Sequence, residues 1–132
     1  MKKVNLDTIT DILSKDERVI FVYIYGSYIE GGNFRDIDIA VYSKDGCDPS
    51  VLSVDLKIAL GEHTGNSPDC FDIRVINELL DSVDIFSLIY LQRIFDKNML
   101  LLDKDFDTRA HFIERYGMKY RACEGLIDEV LI

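Results

Sequence analysis

The sequence predicts an α/β (α+β) fold, a small β-sheet of about four strands flanked by helices. Two observations predict it. Apolar runs rich in β-branched and aromatic residues, suited to strands, alternate along the chain with segments whose apolar residues recur at helical spacing. Clusters of glycine, proline, asparagine and aspartate separate these segments and mark turns or helix starts. At 132 residues the chain fits one domain, 1–132, with no internal repeat, low-complexity tract or linker. Its hydrophobic fraction of 48% is enough for one core.

Taken in order, Val4, Leu6, Ile9, Ile12 and Leu13 trace an amphipathic helix that Asn5 or Asp7 would cap. Lys15-Asp16-Glu17-Arg18 is a polar connection into Val19-Ile20-Phe21-Val22-Tyr23-Ile24, which reads as a buried strand. That strand ends at Gly26-Ser27, where a small residue lets the backbone turn sharply and approach a ligand. Ser27 to Glu30 fits one helical turn, and Gly31-Gly32-Asn33 is a further turn signal. A second strand is expected from Asp36 to Tyr42. Asp36-Ile37-Asp38-Ile39 alternates strictly, so Asp36 and Asp38 would share one strand face while Ile37, Ile39 and Val41 face the core.

Ser43 to Ser50 is a loop, and Asp48-Pro49 starts a helix running to His63. This helix carries Val51, Leu52, Val54, Leu56, Ile58, Ala59 and Leu60, and Gly61 and Gly65 bracket its end. Cys70 to Ile76 reads as a third strand, with Phe71, Ile73 and Val75 on one face and Asp72, Arg74 and Ile76 on the other. Asn77 to Lys97 holds one or two helices, and Met99-Leu100-Leu101-Leu102 is a short strand. From Asp105 a long helix follows, in which Gly117 and Gly125 each cost about 1 kcal/mol relative to alanine.

The chemistry concentrates at the second strand. Two carboxylates side by side repel each other, so a cation is expected between them. Ligands that are all oxygen suit Mg²⁺ or Mn²⁺. A nearby Gly-Ser turn offers N–H groups and a hydroxyl, which suit a phosphate. Metal and phosphate at one strand edge suggest phosphoryl or nucleotidyl transfer. A bare Asp-x-Asp is more often a solvated edge strand; the Gly-Ser after a buried strand favours a site. If the third strand pairs with the second, Asp72 joins Asp36 and Asp38. Otherwise Asp72 is a lone edge-strand residue beside Arg74.

These residues carry a resemblance. Gly26-Ser27, Gly31 and Asp36-Ile37-Asp38 resemble the signature of the DNA polymerase β-like nucleotidyltransferases. The small size is similar to the minimal nucleotidyltransferases, the MNT antitoxins found beside HEPN-domain toxins. The resemblance implies a small mixed sheet and a third carboxylate from the following strand. It implies that Asp36, Asp38 and Asp72 are catalytic and hold Mg²⁺ or Mn²⁺, with Asp72 also a general base. It implies that Gly26 and Ser27 hold a nucleoside triphosphate, ATP. The activity implied is transfer of AMP to a hydroxyl, a tyrosine above all, of a HEPN toxin. The chain departs from many minimal members at Glu30, where they have Arg, and at Arg35, where they have Ser. The spacer from Gly31 to Asp36 is also short. These departures keep a second expectation open: a catalytically degenerate module that neutralises its toxin by complex formation.

The net charge of −9 argues against a nucleic-acid partner, which calls for a basic face, and against an anionic membrane. It suits a basic protein partner such as a ribonuclease toxin. A homo-oligomer is compatible with the sequence. Three scattered cysteines, Cys47, Cys70 and Cys123, show no zinc pattern and favour a reducing, cytoplasmic setting. The start carries no signal-peptide pattern, and no apolar run approaches the ~20 residues of a membrane span. His63 and His111 are expected on helix surfaces, Tyr116 and Tyr120 in packing, and Cys123 as a small buried filler. Arg35 would touch a phosphate or pair with Glu30 or Asp36.

Overall fold

The computed structural model describes residues 3–31, 36–81 and 84–131. The elements run α1 (Leu6–Ser14), β1 (Val19–Tyr25), a single turn α2 (Ser27–Glu30), β2 (Ile37–Ser43), α3 (Pro49–Thr64), β3 (Phe71–Val75), α4 (Ile85–Asp96), β4 (Asn98–Asp103) and α5 (Phe106–Leu131). Short 3₁₀ turns cover Pro68–Cys70 and Asn77–Leu80. Val83, expected in the helical stretch before Lys97, lies outside the described residues.

Among the described residues the strands form one mixed sheet in the order β3-β2-β1-β4. β1 pairs antiparallel with both β2 and β4, and β2 pairs parallel with β3. The central position of β1 explains its composition. A strand covered on both faces reads as a continuous apolar run rather than an alternation. One face buries Val22, Ile24, Ile37, Ile39 and Val41 against α1 and α3, through Ile9, Leu13, Leu52, Leu56 and Leu60. The other buries Phe21, Tyr23, Tyr25 and Ala40 against α4 and α5, through Leu88, Leu91, Ile94, Phe112 and Ile127. Helices on both faces thus bury both sides of β2, including the Ala40 side that Asp38 shares.

Local chemistry sets the helix boundaries. Asn5, not Asp7, caps α1, its Oδ1 accepting from the Asp7 N–H at 2.8 Å. Asp48 accepts from the N–H groups of Ser50 and Val51, with Pro49 in the first turn of α3. Asp84 caps α4 through the Phe86 N–H at 2.9 Å. Asn77 extends the sheet edge with its side chain, accepting from the Ser43 N–H at 2.8 Å and donating to the Ser43 carbonyl at 2.7 Å.

The structure sorts the apolar residues of α3 and explains its glycines. Its core contact is a single stripe, Leu52, Leu56 and Leu60, while Val51, Val54 and Ile58 are exposed. A helix lying flat on a sheet offers it one face, so apolar residues on the other sides stay in solvent. Gly61 and Gly65 bracket the end of the helix at Thr64, as expected. A Cβ on Gly61 would meet the Asn66 carbonyl oxygen at 2.9 Å, so only glycine leaves room for the chain that folds back there. Gly65, at φ 71° and with its N–H on the Gly61 carbonyl, makes the left-handed stop.

Leu56→Ala should lower unfolding free energy by about 2–5 kcal/mol through the cavity it leaves. Val54→Ala, on the exposed side of the same helix, should change it by about 0.5 kcal/mol or less. Urea denaturation of the two variants measures the contrast; equal losses would contradict the stripe.

Candidate active site

Register builds the site. The last residue of β1, Tyr25, stands opposite Asp38 of β2, and Asp38 stands beside Asp72 of β3. Because β2 and β3 run parallel, like positions face the same way, and both carboxylates emerge at the same mouth of the sheet. The pairing that the sequence left conditional is therefore formed, and Asp38 and Asp72 share a hydrogen bond.

The chain turns away from β1 at Gly26, whose φ of 80° and ψ of −161° lie outside the range most side chains tolerate. Space makes the same demand: a Cβ on Gly26 would sit 2.3 Å from Asp38 Oδ2. Gly26 thus places its backbone directly against a site carboxylate. Ser27 opens the single turn α2, which Gly31 closes in the left-handed region at φ 79°.

Asp36 stands differently from the expectation. β2 begins at Ile37, so Asp36 is an exposed bend residue just before the strand and not its first member. Hydrogen bonding to neighbouring strands fixes Asp38 and Asp72 but not Asp36. Among the described residues no group of three or more histidine, cysteine or acidic side chains is arranged to hold a metal ion. The charge of Asp36 nevertheless reaches Asp38. Burial first, then the charges of Asp72 and Asp36 and the hydrogen bond that protonated Asp38 donates to Asp72, push the Asp38 carboxyl up to about 6, with Arg93 opposing. Crowded like charges of this kind are what a divalent cation relieves, and the donors are all hard carboxylate oxygens. The residues present fit Mg²⁺ or Mn²⁺ in donor chemistry, with Asp38 and Asp72 held and Asp36 at the rim.

Sequence reasoning missed the surroundings of the pair. Tyr25 and Tyr90 join hydroxyl to hydroxyl beneath the carboxylates, and burial raises both phenols above their ordinary range. The Arg74 guanidinium lies 4.6 Å over the Tyr90 ring. Arg93 and Lys97 line a cavity of about 230 Å³ with Tyr25, Gly26 and Asp96. For Arg74 the signal was present, since it shares the strand face of Asp72. Nothing in the sequence linked Tyr90 or Arg93 to the site, because α4 reaches it only through tertiary packing.

Gly32, Asn33 and Arg35 lie outside the described residues, as does the side chain of Glu30. His63 and His111 are exposed on α3 and α5, with the His63 ring against the Ala59 carbonyl at 2.8 Å. Tyr116 and Tyr120 pack, their rings 5.8 Å apart and Tyr116 4.9 Å from Phe95. Cys123 is half-buried rather than buried, at the edge of the same core.

A glycine turn tight against strand-borne carboxylates, on a small mixed sheet, defines the nucleotidyltransferase class of fold. The family described as "Polymerase beta, Nucleotidyltransferase" matches residues 7–107, and the chain belongs to it. No curated protein matches the chain. Among solved structures, the fold is similar to a chain of a mutant MntA toxin–antitoxin complex, with TM-score 0.65 and 19% identity over 98% of this chain and 100% of that one. A toxin–antitoxin structure with AMP-PNP gives 0.65 and 21% over 98% and 100%. A complex of tri-AMPylated Shewanella oneidensis HEPN toxin with MNT antitoxin gives 0.61 and 20% over 100% of both chains. At these identities the likeness is one of fold. Among the described residues no helix is long and apolar enough to cross a membrane.

The raised Asp38 carboxyl has a stability consequence. Its folded value of about 6 lies above the ~3.9 of an unfolded aspartate, so the native state holds the proton more tightly. That contribution is complete below about pH 4 and is lost as pH rises through about 6. Asp38→Asn should therefore gain on the wild type across this window. Discounted for solvent screening, the gain at neutral pH without divalent cations is of order 1 kcal/mol. Chemical denaturation at a series of pH values measures it; a gain that does not change between pH 4 and 7 would refute the assignment.

Proposed function

We propose that this protein is a Mg²⁺-dependent (or Mn²⁺-dependent) protein adenylyltransferase. It transfers AMP from ATP to a tyrosine hydroxyl of a partner HEPN toxin and acts as the antitoxin. The observation that carries the reading is the Asp38–Asp72 pair on adjacent parallel strands, with the Gly26 backbone against it. Family membership supports the reaction class. The fold likeness to toxin–antitoxin structures, one with AMP-PNP and one with a tri-AMPylated HEPN toxin, supports the nucleotide and the partner.

Asp36, Asp38 and Asp72 would hold the divalent ions, which stabilise charge on the attacking and leaving oxygens of an in-line displacement. The chain's own groups do the rest. Gly26 and Ser27 bind the triphosphate with backbone N–H groups and a hydroxyl. Asp72 takes the proton of the tyrosine hydroxyl as its oxygen attacks the α-phosphorus. The tyrosyl O–P bond forms, the bond from the α-phosphorus to the bridging oxygen breaks, and pyrophosphate leaves. The acidic balance of the chain suits a basic ribonuclease as partner.

One observation favours a second reading. The described acidic side chains do not stand in a ready metal-binding group of three. A degenerate module that blocks the toxin by binding alone would need no such group, and Glu30 and Arg35 depart from the family pattern in the same direction.

Incubation with ATP, Mg²⁺ and a candidate HEPN toxin, followed by intact-mass spectrometry, separates the two. Transfer predicts added AMP on the toxin, abolished by EDTA and by joint Asp36→Asn and Asp38→Asn substitution, with the fold retained. An unmodified toxin held in a tight complex would establish the binding module instead.

A further inference from the structure

The sheet lays charge out in order across its mouth. Neighbouring positions run Asp72 on β3, Asp38 on β2, Tyr25 on β1 and Asn98 on β4. Carboxylates occupy the β3–β2 side. Lys97 directly precedes Asn98, and Arg93 lies one helical turn before Lys97 near the end of α4. Tyr25, Gly26, Arg93, Asp96 and Lys97 enclose the cavity of about 230 Å³ on that side. Among the described residues its lining includes Arg93, Lys97 and Asp96, in a chain whose net charge is −9. Arg93 is close enough for its charge to act on Asp38 across the Gly26 turn.

We propose that Arg93 and Lys97 form the polyphosphate wall of the site, receiving the phosphates of a nucleoside triphosphate beyond the one that reacts at the aspartates. The inference rests on the nucleotidyl-transfer reading and names how this chain would recognise its nucleotide. From β2 across β1 to β4 is two strand spacings, about 10 Å. A polyphosphate tail covers that distance and a single phosphate does not. An arginine fork gives directional hydrogen bonds to phosphate oxygens, and a lysine adds a point charge. The Arg93 guanidinium favours an anion, and Asp96 beside it tempers the hold so that pyrophosphate can leave. Gly26 between the two halves lets the chain of phosphates pass close to the backbone. The wall therefore selects for a triphosphate over a monophosphate, whatever the base.

Calorimetric titration of ATP and of AMP, each with Mg²⁺, into the wild type, Arg93→Gln, Lys97→Gln and Arg93→Lys tests this. Arg93 is exposed, and circular dichroism melting checks that each variant folds. Arg93→Gln should weaken ATP about tenfold or more, the loss of a charge-assisted pair, while AMP changes by less than about twofold. Lys97→Gln should act in the same direction and Arg93→Lys should recover part of the loss. Unchanged ATP affinity in folded Arg93→Gln, or an equal loss for AMP, would overturn the wall while leaving nucleotide binding itself intact. A wild type that binds neither nucleotide would overturn the nucleotidyl-transfer reading and the wall together.

Discussion

Parallel pairing of β2 with β3 sets Asp38 beside Asp72 at the mouth of the sheet, and the rest of the site is arranged around that repulsion. Hydrogen-bonded strands cannot move the two carboxylates apart, and partial burial of Asp38 keeps water from screening it fully. Among the described residues no salt bridge relieves the conflict, and the Asp38 carboxyl is raised. Arg93 faces the pair from across the Gly26 turn, and Arg74 is committed to the Tyr90 ring. Carboxylates crowded in this way suit a cation supplied from outside.

The scaffold that enforces the crowding is a sheet buried on both faces. β1 carries no polar side chain besides its tyrosines, and each tyrosine lies on the α4–α5 face. Tyr23 accepts from Arg109 at 3.2 Å, and Arg109 also grips Asp103 at 2.7 Å, which ties α5 to the far end of the sheet. The helix that closes this face, α4, also delivers Tyr90 and Arg93 to the mouth. Core packing and site chemistry therefore share one element, and shifts in α4 would be felt at both.

How legible this was in the sequence follows from where each constraint comes from. The strand at Val19, the Gly26-Ser27 turn, the single helical turn to Glu30 and the three aspartates are local signals, and the structure places them as read except that Asp36 precedes β2. Asp72 was visible because strand alternation fixed its face, though its register against Asp38 needed the fold. Tyr90, Arg93 and Lys97 were not legible: they sit in an ordinary amphipathic helix, and only its docking brings them near Gly26. Apolar content likewise failed to say which side of α3 is buried, since Val51, Val54 and Ile58 are as apolar as Leu52, Leu56 and Leu60. The role of Gly61 was hidden for the same reason, because its constraint comes from the Asn66 carbonyl and not from its own backbone.

The most direct test is to follow the Asp38 side-chain carboxyl carbon by NMR as pH is varied, with and without Mg²⁺. A crowded pair awaiting a cation predicts a midpoint near 6 in the metal-free protein. It predicts a clear downward move of that midpoint when Mg²⁺ is added. A midpoint at about 4, the ordinary aspartate value, that ignores Mg²⁺ would contradict it.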